Sequence, residues 1–274
     1  MRTVRDKLWL FASRAHDDDI WLHRSAEYEG FTHWSRITPA EGALMLDVPN
    51  VIMVGSDGIP VPFSADAYGY AESFCRMESV VWSVTGSGGF RIGNEEDFIC
   101  ELAAKYPNVT GAFFDDFLGT ARNRGWTDAQ TVEMLRGVRS RLDRACRRLE
   151  MWLTLYAHDM ESCSEALLEP FDCLSLWTWH REDLKSLPQS FEAMERRFPK
   201  QKKYLGIYIF DYPSGRAVPD ESMELQCEYG LRLLREKRAE GLIFLTNCVM
   251  GVGLPSELWL RKWIARVKNE PLDE

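Results

Sequence analysis

The sequence predicts an α/β fold, a single (β/α)8 barrel that spans residues 1–274 as one domain. About eight short apolar runs alternate along the chain with about eight stretches that carry helix start signals. The apolar runs are near-continuous, which is typical of parallel strands covered on both faces. A doubly wound open sheet is the alternative, but the sequence contains no complete GxGxxG or Walker loop to support it.

The strand candidates are distributed along the whole chain. They are KLWLFA (7–12), NVIMV (50–54), SVVWSV (79–84), VTGAFF (109–114), MWLTLYA (151–157), CLSLWTW (173–179), YLGIYIF (204–210) and GLIFLT (241–246). In a barrel, the carboxyl ends of such strands form one rim, and the active sites of this fold lie there.

Helix start signals stand between these runs. In TPAE, Thr38 is predicted as N-cap, Pro39 as the first helical residue and Glu41 as the closing residue of a capping box. Further starts are TDAQ at 127–130, SCSE at 162–165 and Asn94 before EEDFICELAAKY. A helix from 221 is predicted to end at Gly241, and a last helix over 256–269 places Trp259, Trp263 and Val267 on one face.

The charge balance and composition exclude several classes of protein. The net charge of −9 and the pI near 5.2 argue against a nucleic-acid partner, because binding phosphates requires a basic face. No window approaches the roughly 18 apolar residues of a membrane helix, and the N-terminal apolar run is too short for a secretion signal. Seven scattered cysteines without a CxxC motif are interpreted as reduced core thiols. We therefore expect a cytoplasmic protein without a membrane partner, and the sequence does not predict its oligomeric state.

Polar and aromatic residues collect at the predicted strand ends. The candidate catalytic residues are Asp115 and Asp116 after the fourth strand and Asp211 after the seventh. The candidate substrate-binding residues are Arg14, His16, Tyr156, His158, Trp177, Trp179, His180, Tyr212 and Asn247. The alternation of the fourth strand points Gly111, Phe113 and Asp115 into the barrel. Each residue also has a structural interpretation, as a turn, a cap or core filling, and their shared position on one rim favours function.

Carboxylates near tryptophan and tyrosine suit a small-molecule carbohydrate. Aromatic rings stack on sugar C–H groups, and two carboxyl groups supply the acid and base, or acid and nucleophile, of glycosidic cleavage. One of the two needs a raised pKa, which an apolar wall or a second carboxylate provides. On this interpretation the enzyme needs no cofactor.

Two short motifs carry a resemblance to known enzymes. VTGAFFDDF resembles the fourth-strand segment of several TIM-barrel glycoside hydrolases, and GIYIFDY resembles their seventh-strand ends. The resemblance implies that Asp115 or Asp116 is the acid/base and that Asp211 is its partner. It is a likeness to the superfamily, since the chain has no Asn-Glu pair after strand four, no Glu after strand seven and no DxxDxDxE series.

Two other functions fit the same rim. His158, His180 and the aspartates could bind a divalent metal in a sugar isomerase, epimerase or lyase. That alternative makes a metal the cofactor, although the rim lacks the glutamates of such isomerases. The second alternative is a catalytically silent sugar-binding barrel, because a fold does not fix its function.

Overall fold

A computed structural model describes residues 2–29 and 33–272, and it confirms the predicted TIM barrel. The barrel strands are β1 Leu8–Ala12, β2 Asn50–Met53, β3 Ser79–Thr85, β4 Val109–Phe114, β5 Glu150–Tyr156, β6 Cys173–Trp177, β7 Lys202–Tyr208 and β8 Gly241–Leu245. They form a closed barrel in chain order, with β8 beside β1. Every predicted strand is present, with bounds within a few residues of those expected.

Helices follow the strands around the barrel. They are α1 Asp19–Glu29, α2 Pro39–Leu46, α3 Ala65–Ser73, α4 Glu95–Lys105, α5 Phe117–Asn123, α6 Asp128–Leu142, α7 Glu165–Leu168, α8 Leu187–Arg197, α9 Asp220–Arg235 and α10 Pro255–Val267. Two short antiparallel pairs are added, Arg2–Thr3 with Pro271–Leu272 and Phe210–Asp211 with Arg216–Ala217.

The described chain divides into two compact units. The first unit consists of Met1–Val51, Trp177–Ser190 and Tyr204–Glu274, and the second of Ile52–Leu176 and Phe191–Lys203. The single domain over 1–274 therefore stays a prediction.

In the first unit, close packing explains a glycine in β7. A Cβ atom on Gly206 would lie 2.1 Å from Cδ2 of Trp177, so the indole fills the space a side chain would need. The Trp177 ring also meets Phe11 and Tyr208 edge-on, with ring centroids 5.8 and 5.1 Å away. Outside the barrel, the ring of Trp263 on α10 contacts Phe244 of β8. The predicted apolar face of this helix is confirmed, with Trp263 and Val267 buried and Trp259 half-buried.

In the second unit, alternate residues of β4 face opposite sides as predicted. A Cβ atom on Gly111 would lie 3.0 Å from Nε1 of Trp152 in β5, whereas Phe114 packs against Phe117 and Phe171. Phe114, Phe117 and Phe171 are all buried, and the burial of these aromatic rings contributes to the hydrophobic stabilisation of this unit.

The predicted helix starts are partly confirmed. Thr38 and Glu41 form the expected capping box of α2, and Thr127 and Gln130 form that of α6. Asn94 is the N-cap of α4, but its side chain makes no capping hydrogen bond.

Two helix boundaries were predicted wrongly. The cap expected at Ser162 is displaced, because its hydroxyl donates to the carbonyl of Asp159 and α7 begins after Ser164. The helix predicted to end at Gly241 ends earlier. This helix, α9, ends at Arg235, and Lys237 adopts a left-handed φ of 57°. Gly241 instead begins β8.

The seven cysteines are free thiols, as expected, but they are not all in the core. Four are buried, namely Cys163, Cys173, Cys227 and Cys248, whereas Cys75 and Cys146 are exposed and Cys100 is half-buried. No helix in the described part of the chain is long and apolar enough to cross a membrane.

Candidate functional site

The end of β4 is anchored to β3 through the backbone of Asp115. The Asp115 N–H donates to the carbonyl of Thr85, and the Thr85 hydroxyl donates to the carbonyl of Asp115 at 2.9 Å. The side chain follows the predicted inward direction, where its Oδ1 accepts a hydrogen bond of 2.9 Å from the Thr154 hydroxyl of β5. Asp115 is therefore held rigidly within the second unit.

The Asp115 carboxyl is buried, with 5% of the residue exposed. Burial, and after it the charge of the adjacent Asp116, raises the pKa of the Asp115 carboxyl well above its usual value. Thr154 opposes this shift by hydrogen bonding. Both causes disfavour the charged form of the Asp115 carboxyl, so they oppose two adjacent negative charges at the end of β4.

Asp116 turns the chain out of the strand and carries its carboxylate to an open cavity. Its φ of 46° is a left-handed backbone conformation, which aspartate adopts more readily than most other non-glycine residues. One side-chain oxygen accepts a 2.7 Å hydrogen bond from the Tyr156 hydroxyl, and the other accepts a 2.9 Å hydrogen bond from the N–H of Gly88. These two donors, from the last residue of β5 and from the loop after β3, fix the orientation of the carboxylate.

The cavity beside Asp116 has a volume of about 380 Å³, within the range of small-molecule sites. Its lining includes Tyr156, His158 and a further carboxylate, Asp159. The His158 ring stacks on Tyr156 with a centroid distance of 5.3 Å and stays largely exposed. Asp159 is paired with Arg122, which donates to it at 2.9 Å. Asp116, Tyr156, His158 and Asp159 thus surround one space in the second unit.

A second carboxyl group with a raised pKa lies in the first unit. Asp18 accepts a 2.7 Å hydrogen bond from the hydroxyl of Tyr212. Burial raises the pKa of Asp18 to about 7, the Tyr212 hydrogen bond opposes the shift, and the charges of Asp17 and Asp19 add to it. Burial, and after it the charge of Asp18, raises the pKa of Tyr212 well above its usual value.

Aromatic rings surround Tyr212. The Trp179 ring lies parallel to it at 6.0 Å, and the Trp21 ring meets it edge-on at 5.4 Å. A small cavity of about 20 Å³, enough for one water molecule, is lined by Trp179, Tyr212 and Asp211.

Asp211 also stabilises a turn. Its side chain accepts a hydrogen bond from the N–H of Ser214 at 3.4 Å, and its other oxygen lies 3.7 Å from Arg181. Asp211 therefore both holds this turn and lines the small cavity beside Tyr212.

The other candidates of the first unit are placed as follows. Arg14 pairs with Asp17 at 3.1 Å, and the His16 imidazole lies between Asp19 and Arg36. The side chain of His180 is exposed, at the start of a short 3₁₀ helix.

Asn247 and Trp177 serve the packing of the first unit. The Asn247 amide group donates to the carbonyls of Ser13 and Ile37 and accepts from the N–H of Ser13 and the hydroxyl of Thr246. No donor or acceptor of the amide is left for a substrate hydroxyl. Trp177 is fully buried against Gly206 and lines none of the cavities described above.

The metal alternative has no preformed site among the described residues. Within 2–29 and 33–272, no group of three His, Cys, Asp or Glu side chains is arranged to hold a metal ion. Of the predicted ligands, His158 and Asp116 line one cavity in the second unit, whereas His180 and Asp211 belong to the first.

Asp159, Asp18 and Arg122 were not among the predicted site residues. Asp159 directly follows His158 in the sequence, so its position after a strand was a usable signal. Asp18 was hidden among three consecutive aspartates that resemble a solvated loop. No sequence pattern singles out Arg122, because its role depends on a contact 37 residues away.

Comparisons with known proteins extend the description of the fold. No protein-family model matches the chain, and a search of curated proteins gives no significant match. The glycoside hydrolase domain of PgaB (BpsB) from Bordetella bronchiseptica is 11% identical, with a TM-score of 0.51 over 93% of this chain and 98% of that one. The GH99 endo-α-mannosidase from Bacteriodes thetaiotaomicron is 7% identical, with a TM-score of 0.57 over 96% and 97%.

A structure of a different enzyme is equally similar. A mutant tryptophan synthase α-subunit from Pyrococcus furiosus is 12% identical, with a TM-score of 0.52 over 97% of this chain and 99% of that one. At such identities the likeness concerns the fold. The chain thus shares its fold with TIM-barrel enzymes, glycoside hydrolases among them.

Proposed function

We propose that the protein is a carbohydrate-active enzyme that cleaves a small glycoside and uses the Asp115–Asp116 pair at the end of β4. The observation that carries this proposal is the asymmetry of the pair. Asp116 presents its side chain to the cavity of about 380 Å³, while Asp115 beneath it is buried, and burial raises the pKa of the Asp115 carboxyl well above its usual value. Glycosidic cleavage requires a carboxyl group that faces the substrate, and Asp116 is the member of the pair that lines the cavity.

In this mechanism Asp116 is the residue that meets the substrate. The hydroxyl of Tyr156 and the N–H of Gly88 orient its carboxylate, so that little rearrangement is needed when a sugar binds. Asp115 is a positioning residue that keeps a second negative charge away from Asp116. Tyr156 and His158 offer ring faces and hydrogen-bonding groups to the sugar.

Cleavage also requires a second carboxyl group, and two residues are candidates. Asp211 is proposed as the partner because of the resemblance of GIYIFDY to seventh-strand ends in glycoside hydrolases. Asp159 is the alternative, since it lines the Asp116 cavity, although Arg122 already pairs with it.

The first experiment combines metal analysis with activity on a panel of 4-nitrophenyl glycosides, before and after chelation. We expect turnover that resists chelation and falls about 10³-fold in Asp116→Asn. Asp97→Asn, exposed on α4, is the matched control for the loss of one carboxylate. A comparable fall in Asp211→Asn, with a small effect in Asp159→Asn, would identify Asp211 as the partner, and the reverse would identify Asp159.

Other outcomes would contradict the proposal. Stoichiometric metal with chelation-sensitive turnover would indicate a metal-dependent isomerase, epimerase or lyase. Sugar binding without turnover on any glycoside would indicate a sugar-binding barrel. Full activity in Asp116→Asn would remove the β4 carboxylate from the mechanism.

A further inference from the structure

Two exposed apolar side chains lie on the loop after β3, near the Asp116 cavity. Phe90 is 41% exposed and Ile92 is 49% exposed. The preceding loop, after β2, adds Val61 at 48% and Phe63 at 40%. Contact between large apolar side chains and water is unfavourable. A group of exposed apolar side chains therefore indicates a binding surface. We call Phe90, Ile92 and the Gly58 beneath them the apolar ledge.

Two buried glutamates fix the backbone of the loop that carries the ledge. Arg91, which lies between the two apolar residues, donates to the buried Glu96 at 2.7 Å. The Glu95 carboxylate accepts the N–H groups of Ile92 and Gly93. These bonds fix the backbone from 91 to 93, so Phe90 and Ile92 do not turn inward away from water. Such a rigid arrangement is expected of a binding surface rather than of a mobile loop.

Gly58 forms the floor of the ledge. Its φ of +74° favours glycine, and a Cβ atom there would lie 2.6 Å from Cε1 of Phe90 and 3.2 Å from Cδ1 of Ile92. Both side chains therefore lie directly on the glycine backbone. This close approach keeps the two apolar groups together.

The loop after β3, which carries Phe90 and Ile92, also contributes one residue to the lining of the Asp116 cavity. Gly88 lines that cavity, donates to Asp116 at 2.9 Å and accepts a hydrogen bond from the Thr120 hydroxyl at 2.9 Å. Phe90 follows Gly88 by two residues, a separation of at most about 7 Å along the chain. A ligand that fills the cavity can therefore extend onto the ledge.

We propose that the apolar ledge is a subsite for the aromatic or alkyl aglycone of a glycoside whose sugar occupies the Asp116 cavity. This inference rests on the proposed function. The ledge has two apolar side chains, whereas each partner of a stable protein interface contributes about 20–30 residues. An apolar group of the substrate is therefore the occupant that fits the size of the ledge and its position.

The test compares naphthyl and methyl glycosides of whichever sugar the panel shows to be cleaved. In Phe90→Ser and Ile92→Ser, we expect kcat/KM for the naphthyl glycoside to fall about tenfold while that for the methyl glycoside is retained. Leu44→Ser, 79% exposed on α2, is the matched control. Because all three residues are exposed, the variants are expected to fold, which circular dichroism checks.

Two results would overturn the subsite. One is an unchanged naphthyl-to-methyl ratio in both variants. The other is an unchanged ratio together with a dimer that dissociates in Phe90→Ser, measured by analytical ultracentrifugation, which would make the ledge an interface between copies of the chain.

A failure of the proposed function gives a different result. If no glycoside is cleaved, calorimetry with naphthyl and methyl 1-thioglycosides decides the question. Naphthyl-selective binding that Phe90→Ser abolishes would keep the ledge as an apolar subsite without the cleavage reaction. Equal binding of the two thioglycosides would overturn the ledge as well.

Discussion

Asp115 in the second unit and Asp18 in the first are both carboxyl groups whose pKa is raised chiefly by burial. They differ in what they face. Asp115 lies behind a second carboxylate that lines an open cavity, and its hydrogen-bond partner is a threonine of the neighbouring strand. Asp18 is bonded to Tyr212, whose ring is enclosed by Trp179 and Trp21.

The difference shows that a raised pKa alone does not identify an active site. In the second unit the shifted carboxyl belongs to a cluster with a cavity large enough for a sugar. In the first unit the nearest cavity that Tyr212 lines has room for a single water molecule. We therefore assign the proposed chemistry to Asp116 and its neighbours, and we expect Asp18 to act mainly on the stability of the fold.

The largest effect on stability is expected from Asp18→Asn. Because the pKa of Asp18 is raised to about 7, the folded protein binds more protons than the unfolded chain between about pH 4 and pH 7. The free energy of unfolding of the wild type therefore falls as the pH rises through this window. The amide carries no charge and can still accept from Tyr212.

Asp18→Asn should thus be more stable than the wild type above pH 7, and the gain should disappear near pH 4. A shift of about three pKa units corresponds to about 4 kcal/mol, and because Asp18 keeps some contact with water we expect about 2 kcal/mol. Urea unfolding at pH 4.5 and pH 8 measures the difference, with Asp97→Asn as the control. Equal stabilisation at both pH values would mean that Asp18 is not buried as a neutral acid.

Tyr212→Phe sharpens the same comparison. Its hydroxyl opposes the rise in the pKa of Asp18, so removing it should extend the pH-dependent loss of stability above pH 7. An unchanged upper limit of the window would show that the hydrogen bond does not act on the titration of Asp18.

A smaller effect is expected from Asp115→Asn. Burial raises the pKa of the Asp115 carboxyl well above its usual value, so an amide resembles the favoured neutral form in shape and charge and can still accept from Thr154. We expect glycosidase activity to fall about tenfold or less at neutral pH, against about 10³-fold for Asp116→Asn. Above the raised pKa of Asp115 the variant should retain activity that the wild type loses, because ionisation of Asp115 places a second negative charge beside Asp116.

A pH–rate profile of both variants from pH 5 to 10 measures this asymmetry. If Asp115→Asn loses as much activity as Asp116→Asn, then Asp115 takes part in proton transfer itself. If the alkaline limb is unchanged, another group sets it.

The two clusters also differ in how far the sequence predicts them. The barrel could be predicted because each strand is a local apolar run, and the Asp115–Asp116 pair because it ends such a run. The pairing of Asp18 with Tyr212 joins residues 194 positions apart, so no local pattern contains it. The predicted role of Asn247 likewise overlooked contacts with Ser13, 234 positions away, that occupy its amide.

The smallest expected effects concern the capping boxes, of which each unit has one that the sequence predicted. In the first unit Thr38 is closed by Glu41, and in the second Thr127 is closed by Gln130. Thr38→Ala and Thr127→Ala should each lower the free energy of unfolding by about 1 kcal/mol at pH 7. The first box is closed by a glutamate and the second by a glutamine, so their contributions to stability should differ in pH dependence.

Hydrogen bonds from the backbone and then the hydroxyl of Thr38 lower the pKa of Glu41. A depressed pKa contributes stability that is present above the unfolded value of 4.5 and is lost as the pH falls through the folded value. The cost of Thr38→Ala should therefore shrink at pH 3, while the cost of Thr127→Ala stays constant because Gln130 has no charge to lose. Urea unfolding of the two variants at pH 7 and pH 3 tests this. Equal changes in both would mean that the Glu41 carboxylate adds nothing beyond what the neutral amide of Gln130 supplies.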